Sequence, residues 1–150
     1  MSIRKVSISV SLVSTLLILG YYLFNLIPMF QQGDLTSEAV FHLAAIVIVA
    51  SIVLNIAGNI LAHIVINIVH AIQTRSEKEV RLLEDERDKL IGLKGTQVSY
   101  IVFSLGVLVS MLTFVIGQPA LVMFSLIIFF GLVAEIMGDL SQFYFDSRGV

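Results

Sequence analysis

Cysteine is absent from this chain, and with it go disulfides, thiolate nucleophiles, iron–sulfur clusters and thiolate zinc sites. Charge is scarce: 13% of the 150 residues are charged, against roughly 25% in soluble domains. The net charge of −2 provides no basic field, and the aromatic residues sit inside apolar stretches rather than among Lys and Arg, which argues against a nucleic-acid partner. Only two prolines occur, Pro28 and Pro119, so long helices can run without interruption.

What is present is apolar. Hydrophobic residues make up 57% of the chain, gathered into long blocks instead of alternating. A block of about 18 or more uncharged residues reads as a membrane span, because about 20 helical residues cross the hydrocarbon core. Four such blocks fall at about 6–30, 39–72, 98–116 and 120–144. They predict a single all-α membrane domain over 1–150, with four transmembrane helices arranged as two antiparallel hairpins. The first block continues through Tyr21, Tyr22 and Phe24 without a small-residue cleavage site, which predicts a retained helix and not a signal peptide.

Turn chemistry separates the blocks. Gln31, Gln32, Gly33 and Asp34 make a short loop, with Thr36 or Ser37 as the cap of the next helix and Glu38 in its first turn. Gly117, Gln118 and Pro119 make a second, where glycine ends one helix and proline opens the next. The second block is too long for the bilayer: as a helix it would measure about 50 Å against a core of about 30 Å. Its last turns are therefore expected in the cytoplasm, merging into a charged segment over 73–97. There Glu77 with Arg81, Arg81 with Asp85 and Asp85 with Lys89 stand at helical spacing. Gly92 and Gly95 are expected to interrupt the chain before the third span.

Orientation follows from the bases. Arg4 and Lys5 precede the first helix, six bases from Arg75 to Lys94 lie between the second and third, and Arg148 follows the fourth. All nine fall on one side of the predicted topology. The positive-inside rule makes that side cytoplasmic, so both termini are expected inside, in the cytoplasmic (inner) membrane.

Two polar stripes interrupt the apolar blocks. Asn55, Asn59, His63, Asn67 and His70 follow one another along one face of the second helix, and Gly131, Glu135, Gly138 and Gln142 along one face of the fourth, with Asp139 beside them. Counted from Val40 and Ala120 as outer ends, Asn55 and Glu135 both lie roughly 23 Å inward, and Asn59 and Asp139 roughly 28 Å. Polar groups in lipid turn toward protein, so an inner-leaflet pocket is expected, supplied also by Ser7, Ser11, Ser14, Tyr100 and Ser104. Its candidate ligand- or ion-binding residues are Asn55, Asn59, His63, Glu135, Asp139 and Gln142.

Three readings of this pocket stand side by side: helix gluing by side-chain hydrogen bonds, cation or proton binding, and a small-molecule or lipid head-group site. His63, Glu135 and Asp139 could supply three metal ligands, but their spacing matches no metal signature and no cofactor is implied. No serine sits in a nucleophile motif.

Six bases and six acids cancel between Arg75 and Lys94, so the segment lacks the polybasic excess that recruits acidic lipids. It reads either as a solvated helical extension or as a docking surface. In the second case Arg81, Glu84, Arg87 and Lys89 are the contact candidates, around an apolar strip of Val80, Leu83, Leu90 and Ile91.

The run Glu84, Asp85, Glu86, Arg87, Asp88, Lys89, Leu90, Ile91, Gly92, Leu93, Lys94, Gly95, followed by a helical hairpin with an acid near its end, resembles small prokaryotic four-helix membrane proteins grouped as domains of unknown function. The resemblance covers the chain from about Glu84 onward. It implies a four-helix layout, a prokaryotic source and a functional charged segment, and no activity.

The expected function is that of a noncatalytic regulatory or partner-binding membrane protein, in contact with the bilayer, with a cytoplasmic or membrane protein partner and a homo-oligomeric state. The alternative is a small transporter or ion-handling protein built on Glu135, Asp139 and His63.

Overall fold

A computed structural model of the protein describes residues 3–73 and 86–148. They form four helices: α1 (Ile3–Gln32), α2 (Ser37–Gln73), α3 (Glu86–Val115) and α4 (Ala120–Arg148). Each contains a stretch long and apolar enough to cross a membrane.

The links between helices are capped as their residues dictate. At the first link Gly33 adopts a φ of 75°, a left-handed conformation that costs glycine nothing. Thr36 Oγ1 accepts a hydrogen bond from the Ala39 amide at 3.3 Å, filling one of the orphan donors at the start of α2. At the second link Gly117 has a φ of 95°. Its amide donates to Phe114 O at 3.1 Å and the Gln118 amide to Thr113 O at 3.0 Å, the paired bonds of a Schellman cap.

α4 packs on all three other helices, extensively on α3, on α1 and more sparingly on α2, while α1 and α2 pack on each other. The core is thin. Ile18, Tyr22 and Leu26 of α1, Leu43 and Val47 of α2 and Leu132 of α4 form its centre. Most of the remaining large apolar side chains face outward, among them Ile52, Val53 and Ile56 on α2 and Leu105, Leu108 and Leu112 on α3. Apolar patches of that extent do not occur on water-soluble monomers, and hydrocarbon is the solvent that suits them.

α3 departs from expectation at its start. Gly92 and Gly95 do not break the chain; both lie inside a helix that already runs from Glu86. The reason is packing against α4. A methyl group at Gly95 would strike the Gln142 side chain, and one at Gly138 would strike Ser99 Oγ, so these positions need the absence of a side chain more than they suffer from its loss of propensity. Gly106 against Phe130, and Gly58 against Val10 across α1 and α2, repeat the arrangement.

Candidate functional site

The polar residues of three helices meet where the thin core ends. Asn55 reaches across from α2 and donates its Nδ2–H to Glu135 Oε1 on α4 at 2.9 Å. Ser11 of α1 donates its hydroxyl to Asn55 Oδ1 at 3.3 Å. Asp139, one helical turn along α4 from Glu135, is 8% exposed. Ser11 and the carboxylate of Glu135 stand beside it. Its Oδ2 is buried and has no hydrogen-bond partner among the described residues. Buried polar atoms in native folds are overwhelmingly paired, so an orphaned carboxylate oxygen is the most informative atom in the site.

On the side of the chain ends, the stripe continues to Asp146, which Lys5 of α1 meets at 2.9 Å. The beginning of α3 joins this end, with Lys94 Nζ 5.0 Å from the centre of the Phe145 ring, a favourable cation–π distance. Toward the core, Thr15 is fully buried and its Oγ1 is also unpartnered among the described residues. Beyond it stands the apolar centre, crossed among the described residues by one polar link, the Tyr22 hydroxyl donating to Ser125 O at 2.8 Å. An open groove lined by Phe24, Asn25, Pro28, Met29, Asp34 and Thr36, among others, lies past this barrier and shares no lining residue with the site.

The sequence-derived candidates divide accordingly. Asn55, Glu135 and Asp139 come together, with Ser11. Gln142 turns instead toward Gly95 on α3, so the fourth-helix stripe splits between two neighbours: its glycines and Gln142 serve the α3 contact, its acids the α1 and α2 side. Tyr100 is 72% exposed and takes no part in the pocket. The side chains of Asn59, His63 and Arg87 lie outside the described residues, as do Arg81 and Glu84 altogether. Lys89 and Leu90 are exposed, whereas Ile91 is 1% exposed, buried within the fold and removed from any docking strip. Among the described residues, no three His, Asp or Glu side chains are grouped to hold a metal.

Thr15 and Asp146 were not singled out by the sequence reading. The signal was present: Thr15 follows Ser7 and Ser11 at steps of four, and Asp146 follows Asp139 at seven, each on the same helical face.

What this arrangement can do follows from its donors. Ser11, Asn55, Glu135 and Asp139 offer only oxygen atoms and one amide N–H pair, a set suited to a proton or to a hard cation and not to a soft metal. No protein-family model, no curated protein and no solved structure matches the chain.

Proposed function

We propose that the chain is a noncatalytic, multi-pass membrane protein in which the Glu135–Asp139 pair takes up a proton or a small hard cation from the side of the chain ends, and in which occupancy is felt by the packing of α1, α2 and α4. The observation that carries this reading is the buried, unpartnered Oδ2 of Asp139 beside a second carboxylate. Intramembrane ionisable groups are costly, and they mark ion or proton sites by default.

A topology of two antiparallel hairpins underlies it. Its support is the order of the contacts: Val10 faces Gly58, Gln142 faces Gly95 and Phe130 faces Gly106, so numbers fall on one helix as they rise on its neighbour. The ion pair of Lys5 with Asp146 and the contact of Lys94 with Phe145 gather the start of α1, the end of α4 and the first half of α3 at one end. That is the base-rich end, cytoplasmic by the positive-inside rule, in the inner membrane of a prokaryotic cell. α2, with 37 residues, is about 55 Å long at 1.5 Å per residue, which supports an extension of its last turns beyond the bilayer on that same side.

The apolar centre around Tyr22 and Leu132 leaves one copy of the chain with access from one side only, so binding is favoured over transport. Purified protein in liposomes carrying internal pH and ion indicators tests this. Proton or cation binding without transmembrane flux, lost in the Glu135→Gln, Asp139→Asn double variant, is the expected result. Flux through the unaltered protein would move the reading to a transporter, and no binding of either kind would reduce the cluster to helix glue.

A further inference from the structure

We propose that the open groove between the last turns of α1 and the start of α2 is a binding site for a phospholipid with a primary ammonium head group. The groove holds about 550 Å³ of space, within the range of small-ligand sites. It lies at the end of the molecule away from Lys5 and Asp146 and has no residue in common with the Glu135–Asp139 cluster, so it is independent of proton or cation uptake there.

Its walls are graded along the helix axis. Gln32, Asp34 and Thr36 form the rim beside the first link, and Phe24 and Met29 form the floor. From Gln32 back to Phe24 the helix descends about 12 Å at 1.5 Å per residue, from head-group depth into hydrocarbon. Phe24, Ile27 and Phe30 are exposed on this stretch of α1, so acyl chains reach the floor. A water-soluble amine would occupy the rim and leave the floor bare, whereas a lipid fills both.

Charge selects the kind of head group. Among the residues lining the groove, Asp34 alone is ionisable. No Lys or Arg occurs between Lys5 and Arg75, and the nearest other charge in the sequence is a second acid, Glu38. An anionic head group meets repulsion here and a cationic one attraction.

Hydrogen bonding separates one cation from another. Asn25 Nδ2 donates to Tyr21 O at 2.8 Å, which leaves Oδ1 as an acceptor. Pro28 stands inside α1 and has no N–H, so the Phe24 carbonyl four residues back lacks its helical donor; in a membrane such a carbonyl takes a partner from elsewhere. With the Asp34 carboxylate and Gln32 Oε1, the groove is rich in acceptors. A primary ammonium brings three N–H donors. A quaternary ammonium brings none and is held by cages of several aromatic rings, and Phe24 supplies one ring here. Thr36 Oγ1 accepts from the Ala39 amide at 3.3 Å, and the hydroxyl proton it retains suits a phosphate oxygen of the same head group.

The test is native mass spectrometry of the full chain released from nanodiscs that hold equal parts of phosphatidylethanolamine, phosphatidylcholine and phosphatidylglycerol with identical acyl chains. One phosphatidylethanolamine per chain is expected, retained about fivefold over either competitor, the scale of one exposed charge pair. Asp34→Asn, which keeps the backbone carbonyl that accepts from the Thr36 amide, should erase the preference. Glu38→Gln, in the first turn of α2 but outside the groove lining, should leave it intact. Pro28→Ala, which returns an N–H to the Phe24 carbonyl, should reduce it while α1 stays whole. Equal retention of the three lipids, or preference for either competitor, would overturn the proposal. Equal losses in Asp34→Asn and Glu38→Gln would also overturn it, since they mark diffuse surface charge and not a site. Displacement of the lipid by soluble phosphoethanolamine would overturn the lipid as occupant in favour of the free head group.

Discussion

Single atoms distinguish residues that look alike in the sequence. Tyr21 and Tyr22 stand side by side in an apolar run, yet Tyr21 is exposed while Tyr22 is buried and donates to Ser125 O at 2.8 Å. Thr15 and Ser11 share a helical face, yet Ser11 Oγ is bonded to Asn55 and Thr15 Oγ1 is orphaned. These differences predict opposite responses to removal of a hydroxyl. Tyr22→Phe should lower stability by about 0.5–1.5 kcal/mol, the net worth of one hydrogen bond. Thr15→Val should leave stability unchanged or raise it, since a buried hydroxyl without a partner is replaced by a methyl of similar shape. Reversible unfolding in mixed detergent micelles measures both, and a loss at Thr15 as large as that at Tyr22 would contradict the pairing described. Asn55→Leu removes the link between α1, α2 and α4 and should cost about 1–2 kcal/mol in the same assay, in line with interhelical hydrogen bonds in membranes. At this scale the sequence was legible in part. Counting rise per residue put Asn55 and Glu135 at one depth, and their side chains meet. Which hydroxyl finds a partner depends on rotamers and neighbours that periodicity does not encode.

Helices are held at a distance set by glycine, and glycine is where a reading by propensity misleads. Gly92 and Gly95 suggest a break because each costs about 1 kcal/mol relative to Ala in a helix interior; both are instead part of α3, and at Gly95 α4 approaches closely. The glycines are not equivalent. A Cβ at Gly138 would collide with Ser99 Oγ and crowd the Gly95 carbonyl, whereas one at Gly95 would meet only the flexible Gln142 side chain. Gly138→Ala should therefore destabilise the α3–α4 pair by about 1–3 kcal/mol, the usual cost of overpacking. Gly95→Ala should destabilise the pair by less, because the Gln142 side chain can swing aside and alanine gains helix propensity of up to about 1 kcal/mol. Gly20, with nothing within 4 Å of where its Cβ would be, serves as the control, since alanine there touches no neighbouring helix. Equal losses at Gly138 and Gly20 in thermal denaturation would refute the packing account. The α4 stripe was visible in the sequence, but a helical wheel gives a direction and no neighbour, so it could not tell that Gln142 would turn to α3 while Glu135 turned to α2.

At the scale of the whole molecule, the long apolar blocks and the two glycine turns carried the all-α, four-helix layout directly from sequence. The blocks announce themselves by length, and the turns by residues that alone tolerate positive φ. The order in which helices touch was not legible, because every block is apolar on nearly all sides and lipid is as acceptable a neighbour as protein. The proposed orientation has a direct check in a chain with no cysteine of its own. A single cysteine introduced at Gln118, between α3 and α4, should react with an impermeant maleimide added to intact cells. One at Ser147 should react only after the membrane is opened, and the reverse pattern would invert the topology.

The contact of α4 with all three other helices also bears on how the protein is made. Helices leave the ribosome in order, so α1 and α2 can pair as soon as both are inserted, while α3 waits in lipid for its principal partner. Until the segment from Ala120 onward arrives, Ser11 and Asn55 have only each other, and the small-residue face of α3 around Gly95 and Ser99 lies open. A chain halted before α4 therefore displays polar side chains that the four-helix arrangement conceals. α4 thus closes the bundle with the same carboxylates that form the candidate site.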